Sequence, residues 1–101
     1  PGTARPALAV PWAPPTGATE QRLAAVWEDV LGVVGLGRDD DFFDLGGDSI
    51  LAVQLVTAVA RRLAVVVPLT ALFDGPTIAA MARALGEGPA PGAGARDQGE
   101  L

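Results

Sequence analysis

One serine follows a pair of glycines in the middle of this chain, in the stretch Gly46-Gly47-Asp48-Ser49, directly before an amphipathic run that begins near Ile50. A serine hydroxyl needs a general base before it can attack a substrate. The chain contains no His, Cys or Lys, so none of its own imidazoles, thiols or amines can take that role. The residue types therefore favour a hydroxyl that another enzyme modifies, and Ser49 is the candidate site residue.

Every catalytic or ligand-binding motif that these glycines suggest lacks a required residue. A nucleophile elbow, Gly-x-Ser-x-Gly, needs glycine where Leu51 stands, and a P-loop needs a lysine. The dinucleotide fingerprint starting at Gly35 meets Asp40 where its third glycine belongs. An EF-hand loop starting at Asp39 has Ile50 in place of its bidentate glutamate. Hydrolase, nucleotide-binding and calcium-binding sites are thereby disfavoured.

A purely structural interpretation of the motif makes Ser49 the N-cap of a helix and the glycines a turn. Ile50 and Val53 argue for more, because they fall on the helix face turned away from the apolar stripe and lie close to the hydroxyl. Branched apolar residues on an exposed face mark contact surfaces. We therefore predict a partner-contact patch of Ile50 and Val53, with Phe42 from the preceding loop.

The elements that position this site are predicted to be helices, three main ones and one short one, in a small all-α bundle. They are predicted at residues 19–31, 49–63, 69–73 and 78–85, with Thr19 and Thr77 as N-caps and Gly32 ending the first helix. The buried stripe of the second helix is predicted to be Ala52, Leu55, Val56, Val59 and Leu63. Residues 65–67 are predicted to form an extended connector.

A long loop, residues 32–48, joins the first two helices and holds five glycines and a group of aspartates. Leu36, Phe43 and Leu45 are expected to turn inward, and one of Phe42 and Phe43 should be core. The aspartates at 39, 40, 41 and 44 are expected to form a solvated loop face, the alternative being charge complementarity with basic partners. Trp27 is expected in the core.

Composition excludes several classes of partner and site. A net charge of −5, with Arg as the only basic residue type, argues against nucleic acid. Zinc sites need Cys or His, and no apolar run reaches the roughly 20 residues of a membrane span. We therefore expect a cytoplasmic monomer without a metal. Residues 1–18 and 86–101 are rich in Pro, Gly and Ala and are predicted linkers, the first docking locally through Leu8, Val10 and Trp12.

At the level of families, the stretches "DDDFFDLGGDSILAVQLV" and "PLTALFDGPTIAAMARAL", preceded by "LAAVWEDVLG", resemble the peptidyl carrier (thiolation) domains of non-ribosomal peptide synthetases. These synthetases make peptide antibiotics and other secondary metabolites. The resemblance runs over residues 19–85, which would be the carrier domain of an acyl-carrier-like fold. Residues 1–18 then look like the frayed end of an upstream adenylation domain, and the chain like a domain excised from a longer polypeptide.

The resemblance implies a function for the serine motif. In such domains the serine carries 4′-phosphopantetheine, attached by a phosphopantetheinyl transferase, and the thiol of this arm holds aminoacyl or peptidyl groups as thioesters. Ser49 would be the attachment site, flanked by Gly47 and Asp48, with no catalytic residue in the domain itself. Implied partners are adenylation and condensation domains, and also epimerisation, thioesterase or tailoring enzymes.

One departure and two alternatives accompany this assignment. Asp48 stands where many of these carriers have His, a variant often found upstream of epimerisation domains. The alternatives are a stand-alone or aryl carrier protein, and a carrier-like interaction module that is never modified.

Overall fold

Four α-helices make up the fold in the computed structural model, which describes residues 3–86. In chain order the elements are β1 (Thr3–Ala4), α1 (Gly17–Leu31), β2 (Val33–Val34), α2 (Ser49–Leu63), α3 (Leu69–Asp74) and α4 (Ile78–Gly86). The two-residue strands pair in parallel, Thr3 with Val33 and Ala4 with Val34. The all-α bundle is confirmed, α2 has the predicted bounds, and this short strand pair was not predicted. Of the predicted linker of residues 86–101, Gly86 is the last residue of α4 and residues 87–101 lie outside the described residues.

The first helix begins earlier than predicted. Its N-cap is Thr16, so the prediction of Thr19 as the cap is wrong. The Thr16 N–H donates to Glu20 Oε1 at 2.8 Å, and this carboxylate satisfies a main-chain donor at the helix start from within the first turn. At the other end Gly32 adopts a left-handed φ of 71° and its N–H reaches Glu28 O at 2.8 Å, which confirms Gly32 as the end of α1.

One core joins α1, α2, α4 and the loop between α1 and α2. The predicted stripe of α2 is confirmed: Ala52, Leu55 and Val59 are fully buried, and Val56 and Leu63 are partly buried against them. Trp27 is also fully buried, as predicted. The largest fully buried side chains of the rest of the core are Phe42, Leu23, Leu36, Leu72 and Ile78. Packing of these side chains stabilises the described part of the chain, which contains no cysteine.

The second half of the bundle also follows the predicted pattern. Residues 65–67 form an extended connector, in which Val66 faces solvent and Val67 is buried. Thr77 caps α4, since its Oγ1 accepts the Ala80 N–H at 3.1 Å. Ile78 and Met81 place one face of α4 in the core. Within residues 3–86, the length and apolar character of every helix fall short of what a membrane crossing requires.

Candidate functional site

Ser49 is the first residue of α2 and is exposed to solvent. The cap position before it belongs to Asp48, whose Oδ1 accepts the Leu51 N–H at 2.9 Å and whose main-chain oxygen accepts the Ala52 N–H at 2.8 Å. Capping by a neighbouring aspartate leaves the serine side chain without that structural task. The interpretation of Ser49 as the N-cap is therefore wrong, and its hydroxyl stands at the surface.

The two glycines before Asp48 are needed for different reasons. Gly46 has a φ of 103°, in the region that side chains rarely adopt, and nothing lies within 4 Å of a Cβ placed there. Gly47 has no positive φ, but a Cβ on it would overlap the ring of Phe42 and stand 2.7 Å from Phe42 O. A side chain at position 47 is therefore excluded by the protein's own core, through Phe42.

Phe42 is the anchor of this turn. Its ring is fully buried and contacts Trp27 edge-on, with centroids 5.3 Å apart. Its N–H donates to Pro76 O at 2.7 Å, and its carbonyl oxygen accepts the Gly47 N–H at 3.0 Å. Phe42 thus joins the loop to the segment between α3 and α4. One of Phe42 and Phe43 was predicted to be core, and it is Phe42. The prediction of Phe42 as a partner contact is wrong, because no surface of its side chain is accessible.

The exposed face of α2 carries the other two predicted contact residues. Ile50 is 70% exposed and Val53 is 51% exposed. Phe73 of α3 is 46% exposed and stacks on half-buried Phe43 with centroids 5.5 Å apart and an interplanar angle of 7°. Sequence analysis missed this aromatic pair. The helical phase of α3 was the available signal. Leu69 and Leu72 share the core face, and Phe73 is turned about 100° from Leu72.

Charge is distributed unevenly along α2. Asp44 and Asp48 are exposed near its amino end, and Arg61 and Arg62 lie in its last turn. Asp48 at the N-cap and the two arginines complement the helix dipole. Asp41 is partly used inside the loop, where its Oδ1 accepts the N–H groups of Phe43 and Asp44 at 2.8 and 3.2 Å. The surface near Ser49 is therefore acidic and apolar.

Asp40 departs from the predicted solvated face, because its side chain is completely buried. Burial opposes its ionisation, but the hydrogen bonds from Arg5 and from the Gly37 N–H outweigh that cost and hold the pKa of Asp40 below its usual value. The prediction of a solvent-exposed Asp40 is wrong. A long-range partner such as Arg5 leaves no spacing signal in the sequence.

A second ion pair fixes the same loop to α1. Arg38 donates from Nε and Nη2 to the two carboxylate oxygens of Glu20, at 2.8 and 2.7 Å. The hydrogen bonds from Arg38, with the N–H of Thr16, lower the pKa of Glu20 to about 2. The Arg38 carbonyl oxygen also accepts the Ala79 N–H at 3.0 Å. The loop that ends at Ser49 is therefore held by α1 and α4 as well as by its own turn.

Comparison with known proteins places this geometry among carrier domains. The family model for the phosphopantetheine attachment site matches residues 21–85. Chondramide synthase of Chondromyces crocatus is 45% identical over 77 residues, which are 76% of this chain and 2% of the synthase. The chain thus spans a very small part of the curated relatives it matches.

Two solved structures give the same result at the level of the fold. A chain of the complex between the phosphopantetheine transferase Sfp, coenzyme A and a peptidyl carrier protein is 42% identical, with a TM-score of 0.72 over 75% of this chain and 99% of that one. The structure of McyG A-PCP complexed with phenylalanyl-adenylate is 33% identical, with a TM-score of 0.67 over 71% of this chain and 11% of that one.

Proposed function

The chain belongs to the phosphopantetheine attachment site family, and from that membership we propose that it is a peptidyl carrier domain with Ser49 as its attachment residue. The observation that carries this assignment is the exposed Ser49 hydroxyl at the first position of α2, freed from capping by Asp48. Serine in this position is open to a modifying enzyme, and no described side chain has to move to release it.

The residues around Ser49 fit the phosphodiester of the arm. The first N–H groups of a helix have no intrahelical acceptors, and the helix end carries partial positive charge. A phosphate at this place meets donors and a favourable dipole. Once attached, 4′-phosphopantetheine supplies a thiol that holds aminoacyl or peptidyl groups as thioesters. The role of this chain is to hold the arm at Ser49, to orient the point of attachment through the Gly47 turn, and to present Ile50 and Val53 to partners.

Partners follow from the same function. The relatives include a carrier bound with a transferase and coenzyme A, and a protein described as A-PCP with an aminoacyl adenylate. We propose that a phosphopantetheinyl transferase modifies this chain and that an adenylation domain loads it. Condensation, epimerisation, thioesterase or tailoring domains would receive the carried group, and the chain itself would be non-catalytic. Docking should be weak and transient, because a carrier must release each partner.

The domain boundaries are part of this proposal. Residues 19–85 would form the carrier domain of a longer synthetase, with residues 1–18 and 86–101 connecting it to neighbouring domains. The face of the domain that partner domains contact would then be the one on which Ser49, Ile50 and Val53 lie.

Modification of Ser49 is directly testable by mass spectrometry of the intact protein. Incubation of the apo protein with coenzyme A and a promiscuous phosphopantetheinyl transferase should add the mass of one arm. Ser49→Ala should add none, because the acceptor oxygen is gone. Thr57→Ala, which removes an exposed hydroxyl from the same helix, should be modified like the wild type. An unmodified wild-type protein would favour the interaction module, and a modified Ser49→Ala would assign the arm to another residue.

A further inference from the structure

The segment before α1 lies against the loop that leads to Ser49. We name residues 3–13 the strap and residues 32–48 the presenting loop. The strap pairs with the presenting loop through β1 and β2. Nearer α1, Trp12 Nε1 donates to Gly35 O at 3.0 Å, and Ala13 O accepts the Arg38 N–H at 2.9 Å. The strap therefore contacts the presenting loop at both of its ends.

An ion pair joins the amino end of the strap, just after β1, to the middle of the presenting loop. Arg5 donates from Nε to Asp40 Oδ2 at 2.6 Å and from Nη2 to Oδ1 at 2.8 Å, a bidentate arrangement. The Asp40 side chain is 0% exposed and that of Arg5 is 18% exposed. Gly37 completes the site by donating its N–H to Asp40 Oδ2 at 2.8 Å. A buried carboxylate that loses its cation is strongly disfavoured, so the presenting loop is built around a side chain of the strap.

Gly37 provides independent evidence that the strap packs closely against the presenting loop. A Cβ at this position would stand 2.9 Å from Trp12 Cδ1 and 3.0 Å from Ala13 O. Both distances are shorter than ordinary van der Waals contact. The strap therefore lies too close to Gly37 for a side chain to fit there without displacing it.

The contacts of Asp40 continue towards Ser49. Two residues after Asp40, the N–H of Phe42 bonds to Pro76 O at 2.7 Å. The carbonyl oxygen of Phe42 accepts the Gly47 N–H, and its ring lies against the place where a Cβ of Gly47 would be. Displacement of Asp40 would therefore act on the turn that immediately precedes Asp48 and Ser49.

We propose that Arg5 is a positioning residue for the modification of Ser49, acting by holding the strap on the presenting loop through Asp40. The proposal rests on the proposed function of Ser49. With the strap released, a smaller fraction of molecules holds the turn in the conformation that the transferase recognises. The apparent affinity falls by that fraction, so KM should rise. The kcat value should change little, because the bound loop has the competent conformation.

The experiment is steady-state kinetics of phosphopantetheinylation of the full chain with a promiscuous transferase and coenzyme A. We expect Arg5→Met to raise KM about tenfold, corresponding to a competent fraction of about 10%. The matched control is Arg62→Met, which breaks the Arg62–Asp29 pair, also 2.6 Å long but with side chains 45% and 69% exposed. Its KM should equal that of the wild type, since exposed pairs contribute little.

Further variants separate positioning by the strap from a general loss of stability. Arg5→Met with Asp40→Asn removes the unpaired buried charge, so its Tm should return towards the wild-type value while KM stays raised. Arg5→Lys keeps the charge without the bidentate geometry and should recover part of the KM. This milder variant also keeps the test open if Arg5→Met does not fold. Exchange of the Arg38 amide, which bonds to Ala13 O, reports whether the strap is docked.

The outcomes distinguish failure of the proposed function of Ser49 from failure of the positioning role of Arg5. A wild-type protein that is not modified overturns the proposed function of Ser49. A modified wild type with unchanged KM in Arg5→Met overturns the positioning role of Arg5, whether or not the Arg38 amide has lost protection. A KM that recovers fully in the Arg5→Met, Asp40→Asn double variant also overturns it, because the effect would then belong to the buried charge.

Discussion

Ser49 and Asp48 divide two tasks that one residue performs at many helix starts. Asp48 is the N-cap and accepts the Leu51 N–H, whereas Ser49 occupies the next position and is exposed to solvent. If the serine were the cap, its oxygen would have to give up a hydrogen bond before modification, at a cost of about 1 kcal/mol. The arrangement leaves the Ser49 oxygen available for modification and keeps the cap of α2 in place.

Gly47 shows how the core reaches this site at the level of single atoms. Gly47→Ala would push a Cβ into the ring and carbonyl oxygen of Phe42, so we expect the free energy of unfolding to fall by about 1–3 kcal/mol. Urea denaturation followed by circular dichroism measures this. Gly86→Ala is the control, because nothing lies within 4 Å of its Cβ position, and its stability should be unchanged or slightly higher. Equal stability of Gly47→Ala and the wild type would show that Phe42 can move aside.

At the scale of elements, α2 has two faces with separate uses. The buried stripe holds the bundle together, and the opposite face presents Ile50 and Val53 beside Ser49. A substitution on the exposed face should therefore act on partners without acting on the fold.

Ile50→Asp and Val53→Asp test this separation. Each replaces an exposed apolar side chain by a charge, and we expect kcat/KM for transferase modification to fall about tenfold, equivalent to about 1.4 kcal/mol of lost contact. Far-UV circular dichroism should remain that of the wild type. Thr57→Asp, further along α2, serves as the control and should keep wild-type kinetics. Unfolding of either aspartate variant would mean that these side chains support the core.

Sequence alone predicted the bounds and the phase of α2, because the Asp48-Ser49 start and the apolar period both agree with the helix that forms. It missed the start of α1 at Gly17, where the Thr16 N–H donates locally to the Glu20 carboxylate. It also failed where tertiary contacts decide. Asp40 is buried because Arg5, distant in sequence, pairs with it. Adjacent Phe42 and Phe43 look alike in sequence, and only the packing of Trp27 against the loop determines which ring is enclosed.

At the scale of the whole molecule, the Glu20–Arg38 pair predicts how stability depends on pH. The pKa of Glu20 is lowered from 4.5 to about 2 in the fold, so the unfolded chain binds the proton more readily. The contribution of the pair is complete above pH 4.5 and is lost as pH falls towards 2. We expect a loss on the order of 1–2 kcal/mol in this window, less than the full linkage because water screens the Arg38 side.

Chemical denaturation at a series of pH values measures this contribution. Glu20→Gln removes the ionisation, so its stability should change less steeply between pH 4.5 and 2 than that of the wild type. Parallel curves for the two proteins would show that Glu20 is not linked to folding.

The docked strap also has a geometrical consequence for how far the domain can travel. Eleven residues, from 3 to 13, span roughly 35–40 Å when fully extended, yet here that contour is folded back along the side of the bundle. For a domain attached at the amino end of the strap, detachment of the strap lengthens the connection by up to this amount, and docking shortens it again. The Arg5–Asp40 contact would therefore set the radius of the volume that the carrier can search.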